Sequence, residues 1–517
     1  MTRSCCSRWR RFFVANDRAG RRYGAPIMVF LGILLALPGV AMAQGLTPAQ
    51  QQAVREWLDT DPDARAPIAS LGLPSGLTRE SSLFVRDQLW EIVRGSRPAL
   101  ALLELLGPLP EPIDPAAVAP GRDMPIEPRV LDLTGMSTGL AERDGMAMPF
   151  ALVLKETTVL KETTPPAPNG RALFLCLHGG GASPGAEGPH AWPVNTREWI
   201  TQTRFAISLY EPEGLYFVPR MADDRLGRWW HRHNQWAFEQ VVRCAILHWG
   251  VDPGRIYLLG ISEGGYGTAI LAPFMPDLFA GANSMAAGVG LGNPPENLAN
   301  LPFRSDVGEN DTMFDRVGLA RAFHERLGEL AKEDPSRAAH EFAPQPGRGH
   351  GIDYRLGPSW IAGHKRNARP ASAQWTSRTL HGQRRSRMEW LGLDAIDPEA
   401  GIRGVVEIRA TLDRDANRVR VHTTQMIRAS EGYQTHATEG EATDRGPLVD
   451  GRVRVLIDDD LLDLDAPITV EFGGVTMIFR PSRCAEVLLA TMLERMDPGA
   501  AMPVEIILSP RPAQVDP

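Results

Sequence analysis

The sequence predicts an α/β protein in which a mostly parallel sheet is flanked by helices, with a helical extension before it and a β-rich domain after it. Three observations carry this. Between about Val130 and Ala362, short β-branched and aromatic runs alternate with helical periodicity, the pattern of parallel strands joined by crossover helices. From Gln44 to about Leu106 the apolar residues recur at helical spacing. Beyond about residue 371 the rhythm is strand after strand, broken by one amphipathic helix from Cys484 to Met496.

The 517 residues give room for two or three domains at about 100–200 residues each. Hydrophobic residues make up 43% and charged residues 23%, enough apolar surface for a sizeable core in an ordinary globular protein. With 55 basic against 62 acidic residues the net charge is −7, so no nucleic acid or other polyanion is expected as a partner. The first 43 residues read as a signal peptide. Arg3, Arg8, Arg10, Arg11, Arg18, Arg21 and Arg22 form a basic leader, Ile27 to Val40 is apolar, and Ala41-Met42-Ala43 offers a cleavage site before Gln44. The apolar run is shorter than the ~20 residues of a membrane span, so export to the periplasm or medium is expected and no membrane association after cleavage. Arg10-Arg11-Phe12-Phe13 leaves the choice between twin-arginine and general secretion open. After cleavage Cys176, Cys244 and Cys484 remain, an odd number in apolar runs, expected as buried free thiols without metal spacing.

Residues 44–129 read as the helical extension and a linker. Thr47-Pro48 opens one helix and Thr78 a second, whose Leu83, Val85, Leu89, Ile92 and Val93 are expected inward; Ala99 to Leu106 is a third. Pro108 to Pro128 is an extended, proline-rich connection. Residues 130–370 form the expected α/β domain. Ala151–Leu154, Leu173–Leu177, Phe205–Tyr210, Arg255–Leu259, Asn283–Val289, Pro302–Asp306 and Glu341–Ala343 read as strands, and Gln235–Trp249 and Val317–Leu330 as helices. The tandem LKETTVLKETT starting at Leu154 is too short for a repeat architecture and reads as a loop or hairpin. Residues 371–517 form the β-rich domain, with strands at Val405–Thr411, Arg418–Thr424, Val453–Ile457, a hairpin folded by Gly473-Gly474, and Val504–Leu508. Asp458-Asp459-Asp460 lacks the alternating oxygens and glycine of a calcium loop and reads as a solvated strand end.

The chemistry centres on Gly260-Ile261-Ser262-Glu263-Gly264. A strand-like run precedes this G-x-S-x-G sequence and a small-residue helix follows it, the setting of a nucleophile elbow. A serine hydroxyl is a poor nucleophile without a base in hydrogen-bond reach. On such an elbow the acid and then the histidine follow along the chain. Asp311, in a loop just past a strand, fits the acid best, with Asp306 and Glu309 next. Of His324, His340 and His350, the last lies in the glycine-rich loop Pro346–Gly351, from which an imidazole reaches over a sheet edge. Leu177-His178-Gly179-Gly180-Gly181 follows another strand and suits an oxyanion hole, formed by the N–H of Gly180 or Gly181 with that of Glu263. No lysine stands where a phosphate loop requires one. Trp229, Trp230 and His231 read either as lining of a substrate pocket or as packing of a seam.

The phrase VDPGRIYLLGISEGG and the LHGGG sequence resemble those of the α/β-hydrolase superfamily, and in particular secreted esterases related to polyhydroxyalkanoate depolymerases, feruloyl esterases and the so-called predicted peptidases. The resemblance covers about Val130 to Ala362. It implies Ser262, Asp311 and His350 as a catalytic triad and hydrolysis of carboxylic esters, small or polymeric, through an acyl-enzyme with no cofactor and no metal. Glu263 departs from the small residue common at its position, and a carboxylate there is expected to raise the histidine pKa or to disfavour anionic substrates. Other readings are a serine peptidase of the same fold and a non-enzymatic module whose β-rich domain binds polysaccharide or a cell surface. The β-rich domain resembles an extension of some bacterial members, with no role implied, and the sequence does not determine oligomeric state.

Overall fold

The computed structural model describes residues 44–118, 120–133, 146–156, 170–290, 292–427 and 445–510. The leader read as a signal peptide and the greater part of the LKETT duplication lie outside these residues. Thr47 starts helix α1 (Pro48–Asp59) with a capping box, its hydroxyl accepting the Gln50 N–H while the Gln50 side chain returns to the Thr47 N–H. Thr78 caps α2 (Arg79–Arg94) by accepting from the Ser81 N–H, and α3 (Arg97–Leu106) carries proline in its first turn. Val85, Leu89, Ile92 and Val93 of α2 are buried as their spacing requires, but Leu83 is exposed. Two residues before Val85, it falls about 200° around the helix, on the opposite face.

Among the described residues the central sheet has eight strands: β1 (Arg129–Asp132), β2 (Ala147–Lys155), β3 (Arg171–Leu177), β4 (Gly214–Pro219), β5 (Val251–Ile261), β6 (Gly281–Met285), β7 (Phe303–Gly308) and β8 (His340–Gln345). Their order is β1-β2-β4-β3-β5-β6-β7-β8; β1, β2 and β4 pair antiparallel, and from β4 to β8 the sheet is parallel. The parallel strands are joined by α4 (Pro193–Ser208), α5 (Arg232–His248), α6 (Glu263–Phe274) and α7 (Arg316–Glu333), and α8 (Leu356–Ala362) follows β8. Alternation along β3 sends Leu173, Leu175 and Leu177 into a core shared with α5 and α6, and Ala172, Phe174 and Cys176 into a second core under α4 and α8. There Phe174 stacks between Tyr216 and Tyr257, at 4.6 and 4.9 Å between ring centroids.

One expected strand is absent. Phe205–Ser208 ends helix α4 instead, with Leu209 as its cap and Tyr210 just beyond, and the strand is Gly214–Pro219. The run Phe-Ala-Ile-Ser-Leu-Tyr suits either state when taken alone, but Trp199, Thr203, Ala206 and Ile207 are all buried at helical spacing after Pro193. The expected strand Asn283–Val289 stops at Met285, because Ala286 turns to φ 52°.

Beyond α8 the described residues form one six-stranded and one four-stranded sheet. Val406, Ile408, Ala410 and Leu412 alternate into the core between them, and Gly473 and Gly474, both with positive φ, make the expected two-residue hairpin turn. Helix α9 (Ala485–Arg495) behaves differently from this β-rich body. Its Leu488, Leu489 and Met492 enter the apolar core that also holds α1, α2 and α3. The three aspartates at 458–460 are ion-paired rather than simply solvated: Asp458 with Arg369 at 2.6 Å, Asp459 with Arg483 at 2.5 Å and Asp460 with Arg79 at 3.2 Å. Cys176 and Cys244 are buried free thiols, and Cys484 is half-buried. Among the described residues no helix is long and apolar enough to cross a membrane.

Asp277, just after α6, is buried against Arg495 of α9 and also accepts the Glu389 N–H at 2.8 Å. Removing one member of such a pair strands the other charge away from water. Asp277→Ala is therefore expected to destabilise the protein by about 3–5 kcal/mol in a urea titration. Removing the exposed Arg79–Asp460 pair through Arg79→Ala should change stability by less than about 1 kcal/mol. Equal effects from the two substitutions would show that the buried seam has no special weight.

Candidate active site

β5 runs straight into α6 through Ser262, whose backbone sits at φ 55° and ψ −113°. That conformation is one an L-residue adopts only when its surroundings enforce it. Glycine on each side makes the turn feasible. A Cβ on Gly260 would lie 2.1 Å from the Gly264 carbonyl oxygen, and one on Gly264 would lie 2.1 Å from that of Leu177. The turn is pinned by the Ser262 N–H donating to the Met285 carbonyl at 2.8 Å.

The structure brings three of the expected residues together. His350 Nε2 is 3.0 Å from Ser262 Oγ, and His350 Nδ1 is 2.7 Å from Asp311 Oδ2. With Asp311 ionised, Nδ1 carries the proton and donates to it, leaving Nε2 as the acceptor that faces the hydroxyl. Asp311 is buried, whereas the His350 side chain is about half exposed, at 47%. The other acidic candidates serve elsewhere. Asp306 is buried against Arg304 at 2.8 Å and accepts from Asn283 Nδ2 at 2.9 Å. Glu309 accepts the Gly347 N–H at 3.1 Å and so ties the histidine loop to the end of β7. That loop crosses the sheet edge so closely that a Cβ on Gly308 would lie 2.0 Å from the Gly349 carbonyl oxygen. His324 packs inside α7, with Nε2 2.9 Å from Ser305 Oγ, and His340 lies beside it.

The glycine loop after β3 is held by residues that the sequence did not single out. Asn195 of α4 accepts the Gly181 N–H and donates to the Gly181 carbonyl, both at 3.0 Å. Its Nδ2 also donates to Asp224 at 2.7 Å, and Asp224 is paired with the buried Arg220. Gly180, at φ 111°, has Asn195 where a side chain would stand: a Cβ would lie 2.1 Å from Oδ1. His178 is a pin for the same loop. Nδ1–H donates to the Gly179 carbonyl at 2.5 Å, and Nε2 accepts the Met221 N–H at 2.9 Å. Burial pushes the His178 imidazole down to about 3, so it stays neutral and keeps both bonds. The Gly181 N–H, one of the two glycine donors expected for an oxyanion, is thus committed to Asn195.

The Trp229–His231 cluster does not form an open pocket wall. Trp229 is fully buried behind the glycine loop, its indole N–H donating to the His178 carbonyl at 3.1 Å. Trp230 is buried, with the Arg228 guanidinium 5.7 Å from its ring centre. His231 stacks on His381 of the C-terminal region at 4.2 Å between centroids, which makes it part of a seam. Aromatic character alone does not distinguish a seam from a pocket, and here the packing alternative is the one realised.

Glu263 follows the serine with its carboxylate turned inward, where Oε2 accepts from Arg228 Nη1 at 2.6 Å. Oε1 is buried without a partner among the described residues. Among the described residues no group of three or more His, Cys, Asp or Glu side chains is arranged to hold a metal ion.

Sheet order, elbow and glycine loop define an α/β-hydrolase fold. No family model matches the chain. It is similar to NocK of Nocardia uniformis subsp. tsuyamanensis, provisionally named an esterase, with 28% identity over 276 residues that cover 52% of this chain and 73% of that protein. Among solved structures it is similar to a thermostable esterase at 20% identity and a TM-score of 0.31, a match covering 42% of this chain and 56% of that one, so it spans little more than half of that protein. It is also similar to esterase 2 of Thermogutta terrifontis at 15% identity and a TM-score of 0.30, covering 47% of this chain and 93% of that one.

Burial pushes the Glu263 carboxyl up to about 7, against the opposing pull of Arg228. Between pH 4.5 and about 7 the folded protein keeps a proton that the unfolded chain has lost. Stability linked to this group is therefore full below pH 4.5 and falls as the pH rises to about 7. Glu263→Gln removes the loss, so relative to wild type it should gain up to about 3 kcal/mol between pH 4.5 and 8. Burial raises Glu389 to about 8, but that contribution is common to both proteins and cancels in the difference. Urea midpoints of the two proteins that stay a constant distance apart across this range would refute the assignment.

Proposed function

We propose that the protein is an exported serine hydrolase that cleaves carboxylic esters. The observation that carries this reading is the hydrogen-bonded series from Ser262 Oγ through His350 to Asp311, mounted on a strained elbow. His350 Nε2 takes the hydroxyl proton as Oγ attacks the ester carbonyl, and Asp311 holds the imidazole in the required tautomer and steadies its charge. The tetrahedral oxyanion is received by the N–H groups of Gly180 and Glu263, since that of Gly181 is occupied by Asn195. His350 then protonates the leaving alcohol, and water releases the acyl group by the same route. No metal or cofactor enters these steps.

The similarity to NocK supports ester chemistry over amide chemistry. The basic leader and its A-x-A site support export, with the mature chain starting at Gln44. The substrate is a small or polymeric ester; loss of the leader removes seven arginines and one aspartate, so the mature chain has 48 basic against 61 acidic residues, net −13, and offers little attraction to nucleic acid or anionic lipid.

Turnover of short-chain p-nitrophenyl esters by the protein, beside Ser262→Ala and His350→Ala, tests this. A loss of roughly ten-thousand-fold or more in kcat for each variant is expected. Wild-type activity in Ser262→Ala would mean that the elbow serine is not the nucleophile. Faster cleavage of matched p-nitroanilides than of the esters would turn the assignment to a peptidase.

A further inference from the structure

Asp311 makes a second contact that the triad itself does not require. Its Oδ1, the oxygen turned away from His350, accepts from Arg316 Nη1 at 2.7 Å. Both side chains are buried, Arg316 at 7% exposure and Asp311 at 3%. One carboxylate thus bridges a guanidinium and an imidazole, with each oxygen assigned to one partner.

The chain is bent to make this contact. Arg316 is the first residue of α7, only five positions after Asp311, and the residues between them turn back sharply. Phe314 (φ 55°, ψ 24°) and Asp315 (φ 53°, ψ 36°) stand in succession in the left-handed region. Non-glycine residues adopt it reluctantly, and a pair of them survives only where the surroundings over-determine the conformation. The Phe314 ring lies 5.2 Å from the Arg316 guanidinium, and the Arg316 Cα would be 3.3 Å from a Cβ on Gly288. The first turn of α7 is pressed against the end of the sheet, with its arginine aimed at the triad acid.

We propose that Arg316 is a positioning residue for catalysis: by occupying Oδ1 it locks the Asp311 carboxylate in the rotation that presents Oδ2 to His350 Nδ1. The inference rests on the serine-hydrolase reading. Without the arginine the carboxylate turns freely about its last torsion and divides its time between orientations, of which only some hold the imidazole. The ground-state binding of the ester is untouched, because Arg316 lies behind Asp311 and away from the hydroxyl of Ser262. The loss therefore falls on kcat and spares KM. A lysine retains the charge but not the planar guanidinium that lies over the Phe314 ring, so it restores the function in part.

The test is steady-state kinetics of Arg316→Met and Arg316→Lys on a p-nitrophenyl ester, together with the Asp311→Asn single variant and the Asp311→Asn/Arg316→Met double variant. All are checked for a native near-ultraviolet circular dichroism spectrum at the assay temperature. Arg316→Met should lower kcat roughly 10–100-fold, the scale of a small misplacement of a reacting group, with KM within about twofold. Arg316→Lys should recover part of that loss. In the Asp311→Asn background Arg316→Met should cost nothing further, since the residue acts only through Asp311. A kcat within about twofold of wild type for Arg316→Met overturns the proposal, and so does a loss of the same size in both backgrounds. If Arg316→Met does not fold, Arg316→Lys, which keeps the buried charge beside Asp311, decides: unchanged kcat in it overturns the positioning role. Failure of the serine-hydrolase reading is separate, because it appears as activity retained in Ser262→Ala.

Discussion

The site depends on one strained residue. Ser262 is held at φ 55° because the chain must leave β5, reverse and enter α6 within a single residue, and this costs about 1–3 kcal/mol that the rest of the fold must offset. The offset is visible in the packing. α6 is buried along nearly its whole length between the sheet, Trp229 and the chain after β6. Its small residues let the helix come close enough for a Cβ on Gly265 to meet the Met285 carbonyl oxygen at 2.5 Å. A larger residue at Gly260, Gly264 or Gly265 would push α6 away, and the serine would relax out of the position that faces His350. The glycines of the elbow thus act through packing distance as much as through backbone freedom.

A second constraint is electrostatic. Around the elbow, charges are arranged so that few remain uncompensated in the interior. Asp224 is shared between Arg220 and Asn195, Glu263 is met by Arg228, and Asp311 by Arg316 and His350. These contacts also fix geometry. Arg220–Asp224–Asn195 sets the glycine loop, and the half-buried Arg228 meets the Glu263 carboxylate beside it. The expectation that a carboxylate next to the serine acts on the histidine gives way to a different arrangement, in which Glu263 points inward to an arginine on the glycine-loop side.

The elbow, its flanking strand and helix, the glycine loop and the chain order of acid and histidine were legible in the sequence because each is a local pattern. The G-x-S-x-G spacing, the HGGG run and the loop positions of Asp311 and His350 each lie within a few residues. What could not be read depends on contacts between distant segments. Asn195, Arg220, Arg228 and Arg316 carry no motif, and only the folded sheet brings Asn195 to Gly181 or His381 to His231. The misplaced strand at Phe205–Tyr210 has the same origin: six apolar and small residues fit a strand or a helix end, and burial against the sheet through Trp199, Ala206 and Ile207 decides. The nearest available signal for Arg316 was an arginine opening a helix, close after the loop acid, where the helix dipole disfavours a cation and only a specific anionic partner compensates.

The same distance-dependence bears on how far the chain divides into modules. The β-rich region has its own core between two sheets, as its alternating residues require. Yet α9, which lies within that stretch of sequence, sends Leu488, Leu489 and Met492 into the core of the N-terminal helices, and Arg495 reaches Asp277 beside α6. Arg385 reaches Glu239 of α5, and Arg366 reaches Asp497 at 3.0 Å. A cut near residue 370 would therefore uncover the apolar underside of α2 and leave Asp277 buried without its cation, which costs more than the loss of an exposed pair. The helical extension, the hydrolase sheet and the C-terminal region are consequently coupled in stability. The helix beginning with Glu263 continues to within a few residues of Asp277, so the same element carries the elbow at one end and the seam at the other. Strain at Ser262 is thereby anchored against a buried ion pair formed with α9.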